Sequence, residues 1–68
     1  MPDHVYKVVE IVGSSTEGVT AAIDRAVEKA SESVRNMRWF EVEEIRGHID
    51  DQSVQHYQVK IKIGFTIE

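Results

Sequence analysis

The sequence has no cysteine in 68 residues and a single proline. Without thiols there is no disulfide to staple a short chain, no Cys/His array for structural zinc and no thiol nucleophile. The missing cysteine also fits a reducing compartment. Positive charge is scarce: 8 Lys and Arg stand against 12 Asp and Glu, for a formal net charge of -4. That is the wrong sign for a chain whose main partner is nucleic acid. No apolar run is long enough to span a bilayer, and the N-terminal Met-Pro-Asp-His-Val-Tyr-Lys carries neither a basic leader nor an apolar signal core. The expected location is the cytoplasm, with neither membrane nor nucleic acid as partner. A chain of 68 residues makes one domain, 1–68, and buries only about 60% of the surface its unfolded form exposes. With staples excluded, self-association is the remaining common route to a robust fold, and an assembly of identical chains is expected.

What is present divides by hydrophobic period. The run HVYKVVEIV, His4 to Val12, is rich in β-branched and aromatic residues and reads as a strand apolar on both faces, ending at Gly13. Ser14, Ser15 and Thr16 then offer side-chain oxygens to the free amides of a helix start. Val19, Ala22, Ile23, Ala26, Val27, Ala30, Val34 and Met37 recur at three- and four-residue spacing. This predicts an amphipathic helix of about five turns ending near Asn36, its apolar stripe narrowed by alanine for close approach to a sheet. In WFEVEEIRGHID, Phe40 and Val42 keep one alternating phase while Ile45 and Ile49 keep the other. One extra residue must be absorbed near Glu43 and Glu44, and a β-bulge there would turn Phe40, Val42, Ile45 and Ile49 all toward the helix. A polar connection, Asp50 to Ser53, leads to a strictly alternating strand in which Tyr57, Val59, Ile61, Ile63, Phe65 and Ile67 oppose His56, Gln58, Lys60, Lys62, Gly64 and Thr66.

The order β-α-β-β with a helical crossover makes the first two strands parallel, and a third strand running between them makes every pairing antiparallel. The predicted fold is α+β: a three-stranded antiparallel sheet with one amphipathic helix on one face. The other face presents Trp39, Arg46, Gln58, Lys60 and Lys62. An outward indole, an amide with two donors and an acceptor, and a fixed cationic fork suit a planar heterocycle with a polar edge and a phosphorylated tail. The alternative is that Trp39 anchors a subunit contact, Gln58 is solvated and Arg46 pairs with Glu44 or Glu41. Serines at 14, 15, 31, 33 and 53 have no accompanying base, so no enzyme is expected. His48 and His56 can approach across the hairpin, but solvated histidines are expected there rather than a metal site. GSSTEG lacks the ending of a phosphate loop and is read as helix capping.

Taken in order, VYKVVEIVGSSTEG, the AAIDRAVEKA helix, WFEVEEIRGHI with its tryptophan directly after the helix, and YQVKIKIGF resemble the dodecin family of small flavin-binding proteins nearly end to end. The resemblance implies a hollow homododecamer holding stacked flavin pairs at twofold contacts, flavin mononucleotide (FMN) foremost, with riboflavin or FAD as the other candidates. By position, Trp39 would cover the isoalloxazine, Gln58 would hydrogen-bond its edge and Arg46 would reach the ligand. Relatives often carry a second arginine where this chain has Thr66, so at this cofactor-binding position phosphate is expected to be held more weakly, or by Arg46 and a neighbouring chain. Some relatives hold coenzyme A at threefold contacts, where Lys7 and Lys29 are the candidate cations in this chain. The implied role is storage and protection of a photoreactive cofactor without turnover. The competing readings are a purely structural oligomer and a coenzyme A-binding assembly.

Overall fold

The strand β1 (Tyr6–Ser15) leads into helix α1 (Val19–Ala30), followed by β2 (Met37–Asp50) and β3 (Ser53–Thr66). These elements come from a computed structural model describing residues 3–67. The sheet order is β1-β3-β2, with both pairings antiparallel, as the crossover argument requires. The hairpin turns through Asp51 and Gln52, both at left-handed φ (52° and 64°), which matches the twist of the strands it joins.

Helix and sheet meet through small residues. Ala22, Ala26 and Ala30 are buried on one side of α1 and pack on Val59, Ile61 and Ile63 of β3. Gly13 lets β1 approach closely: a Cβ there would lie 2.8 Å from that of Ala26 and would overlap the Ala22 carbonyl. Gly13 therefore continues the strand, which reaches Ser15, where the sequence pattern had it ending. Ser15 Oγ accepts from the Glu17 amide (2.9 Å), closing the turn before the helix; the residue preceding α1 is Gly18, with no side-chain cap.

The helix is shorter than its apolar period suggests, at 12 residues rather than about five turns. Ser31 Oγ donates to the Glu28 carbonyl (2.6 Å), and the Glu32 and Ser33 amides donate three residues back, tightening the last turn. Asn36, at φ 62°, then redirects the chain into β2. Val34 and Met37 keep the helical spacing of apolar residues but lie beyond the helix, half-buried.

The expected bulge is present, with the β2–β3 register shifting between Val42 and Glu44. It puts Phe40, Val42 and Ile45 opposite Ile63, Ile61 and Val59, on the helix side of the sheet. The helix, however, packs chiefly on β1 and β3, reaching β2 at Met37. Phe40, Val42, Ile45 and Ile49 are 38–68% exposed, so these side chains share the helix's face but lie at the open margin of its core. The radius of gyration is 14.2 Å and the extents are 55 × 20 × 14 Å, against about 11 Å for a compact chain of this length. Accessible surface is 5125 Å², where a compact monomer of 7.8 kDa exposes about 4,400 Å².

Candidate functional site

The sheet face opposite the helix is organised in cross-strand rows. Val8, Gly64 and Trp39 form one row; Glu10, Lys62 and Glu41 the next; then Val12, Lys60 and Glu44; then Ser14, Gln58 and Arg46. Trp39 points outward, as its phase predicts, and stays 41% exposed. Its six-membered ring lies over Gly64, where any Cβ would collide with Cε2 and Cζ2. A glycine inside an alternating strand marks such a close approach. Tyr6 flanks the indole, with ring centroids 6.2 Å apart and planes tilted by 55°. The one-sided aromatic platform thus has a second member that the sequence reading left unassigned, although Tyr6 shares the outward phase of Val8 and Val12.

Arg46 and Gln58 are brought together, opposite each other across β2 and β3. With Val12, Glu44 and Lys60 they line a cleft of about 240 Å³. Arg46 donates through Nη2 to Glu44 Oε1 at 2.8 Å, the pairing anticipated in the alternative reading. That bond and the guanidinium charge hold the Glu44 carboxyl below its ordinary range. One row up, Lys62 Nζ meets Glu43 Oε2 at 3.2 Å. This contact, aided by the charge of Glu43, raises the ammonium above its ordinary value.

The chain does not bring Trp39 to Arg46 and Gln58. Gly64, beneath the indole, and Gln58 are six residues apart along β3, roughly 20 Å, twice the length of a tricyclic ring system. Thr66 stands opposite Tyr6 and is 3% exposed, its Oγ1 buried with no hydrogen-bond partner among the described residues. It therefore offers no surface to a ligand within this chain. Lys29 is exposed, pairs with Glu32 at 3.4 Å and lines a groove of about 680 Å³ with Ile11, Val12 and Ala30. Lys7 lies opposite Phe65, four residues or roughly 13 Å along β1 from Ile11. Among the described residues no three His, Cys, Asp or Glu side chains cluster for a metal. No helix among them is long and apolar enough to cross a membrane.

The geometry defines a small β-α-β-β domain with an exposed aromatic platform on the sheet face opposite the helix. A family model described as Dodecin matches residues 5–68. The dodecin of Thermus thermophilus is 50% identical over 64 residues, spanning 94% of this chain and 93% of that protein. The solved dodecin from Streptomyces coelicolor superimposes with a TM-score of 0.94 at 47% identity, covering 100% of this chain and 97% of the other. A calcium dodecin of Mycobacterium tuberculosis is 33% identical over 63 residues, 93% of this chain and 89% of that one. The chain belongs to the dodecin family.

Proposed function

We propose that this chain stores flavin, holding FMN or riboflavin against the Trp39 indole where two copies meet, with no turnover. The observation that carries this reading is the indole itself: its six-membered ring is backed by Gly64, and 41% of the residue is open to solvent. An aromatic fixed from behind is a rigid stacking plate, and aromatic stacking contributes about 0.5–1.5 kcal/mol beyond the area it buries.

The 20 Å separation within one chain supports a site shared between chains. A twofold axis through the face would lay the Trp39 end of one copy over the Gln58 and Arg46 end of the next, because an isologous contact presents the same patch in reverse. Gln58 would then hydrogen-bond the polar edge of the ring, and Arg46 would reach the phosphate of FMN as a charge-assisted donor. The dodecamer and the cytoplasmic setting belong to this proposal, as does a protective role in which indole–flavin contact quenches the excited state.

Titration of FMN and riboflavin against the purified protein tests it. Flavin emission should be strongly quenched, and Trp39→Ala should abolish most of the quenching while light scattering shows the particle intact. Undiminished quenching by that variant rejects the stacking role. Collapse of the particle without ligand would instead favour the purely structural oligomer. Coenzyme A is a second reading, supported by the groove beside Lys29. Lys29→Glu should then weaken coenzyme A and leave riboflavin unchanged.

A further inference from the structure

His48 and His56 lie directly opposite each other on β2 and β3, one row beyond Arg46 and Gln58 on the same face. Their rings stack at 5.4 Å between centroids with only 16° between planes. The register breaks immediately afterwards, between His48 and Ile49, where Gln55 is the extra residue on β3. A bulge re-aims the side chains beside it.

From this geometry we infer that His48 and His56 form a two-imidazole clamp for a divalent transition-metal ion of the copper, nickel or zinc type. An imidazole nitrogen binds such an ion at about 2.0–2.1 Å, which puts each ring centre about 3.2 Å from the metal and two centres about 4.5–5.2 Å apart for square-planar to tetrahedral angles. From 5.4 Å the rings need to close by about 0.2 Å for a tetrahedral angle and by about 0.9 Å for a square-planar one. They must also turn so that their lone pairs converge, a rotation about His χ2, which is a broad torsion. Nitrogen donors select this class of ion over calcium or magnesium, which take oxygen ligands.

The electrostatic surroundings permit the ion but do not amplify it. Arg46, two residues before His48, is answered by Glu44 at 2.8 Å. Arg25 shares a cleft with His56 and keeps the affinity modest. With two protein ligands, the remaining coordination positions fall to water, and copper(II), the strongest binder of the divalent series, is the sharpest probe.

The test uses the full-length protein without flavin, titrated with Cu²⁺ in a non-chelating buffer and read by electron paramagnetic resonance. One saturable site per chain is expected, with superhyperfine splitting from two nitrogens. His48→Gln and His56→Gln should each weaken binding by about tenfold or more and leave one nitrogen at most, while His4→Gln should bind like the parent. Three results each overturn the clamp: a one-nitrogen spectrum in the unmodified protein, either hairpin variant binding as tightly as the parent, or binding lost only in His4→Gln. The unmodified protein's spectrum decides the question even if a variant fails to assemble.

Discussion

Gly64→Ala is the most discriminating single change, because one methyl group tests both the fold and the stacking plate. The backbone at Gly64 is not left-handed, so alanine fits the chain locally. It should contribute about 0.4–1 kcal/mol by restricting the unfolded state. Against that, the new Cβ falls inside the space of indole atoms Cε2 and Cζ2. Restoring ordinary carbon–carbon separations of about 3.5–4.0 Å lifts the ring by more than an ångström. Overpacking of this kind costs about 1–3 kcal/mol, so the clash wins and net stability should fall by about 1 kcal/mol. For a domain of this size that lowers Tm by about 4–8 °C. The lifted indole loses its backing, and the loss of about 0.5–1.5 kcal/mol of stacking should weaken riboflavin about 2- to 12-fold. Riboflavin is the right ligand because it carries no phosphate for Arg46 to hold. Emission quenching measures the affinity, and intrinsic tryptophan fluorescence reports the displaced ring. Unchanged Tm together with unchanged riboflavin affinity would refute both the resting place of the indole and its role as a plate.

Gly13→Ala meets the backbone oxygen of Ala22, which cannot swing aside as a side chain can. It should destabilise more than Gly64→Ala, by about 3 kcal/mol or more, and a smaller loss in a denaturant melt would contradict the close helix approach. Thr66→Val removes a buried hydroxyl with no partner among the described residues and should stabilise by about 1 kcal/mol; a lower Tm would mean that an assembled neighbour satisfies that oxygen. Glu44→Gln frees Arg46 from its carboxylate partner and should tighten FMN roughly two- to fivefold relative to riboflavin, whereas equal effects on both flavins would show that Arg46 does not read the phosphate. Acid acts in the same direction. The Glu44 carboxyl is held below its ordinary 4.5, so the ion pair's contribution is complete above that value and is lost as pH falls through the depressed one. The flavin phosphate itself takes up a proton at about pH 6, so the reading is the difference between the parent and Glu44→Gln: the variant's FMN advantage should be full above 4.5 and fade as pH falls through the depressed Glu44 value.

Much of this molecule is readable before any coordinates, and what is readable is local. The strict alternation of Tyr57 to Phe65 fixes β3, and the phase jump between Val42 and Ile45 places the bulge, because period two admits no other repair. The alanine stripe announces close helix–sheet contact, which Gly13 completes. What escapes is decided by tertiary geometry. Val34 and Met37 continue the helical period, but Ser31 and Asn36 end the helix through local hydrogen bonding and a left-handed turn. Phe40, Val42, Ile45 and Ile49 have the right phase for the core yet lie on an outer strand that a 12-residue helix leaves largely open. At the site, phase predicts which side chains share a face but not their separation along it. Trp39, Gln58 and Arg46 are therefore correctly grouped on one face but divided between its two ends.

The overhanging β2 has a consequence for how mutations in this chain behave. A polypeptide that leaves roughly 700 Å² more surface open than a compact one of its mass would draw part of its stability from a neighbouring copy in the proposed assembly. Its melting point should then climb with protein concentration. A destabilised copy diluted among intact ones should be held folded by its neighbours, so a defect at Phe40 or Ile45 could stay silent in a mixed population and emerge only when every copy carries it.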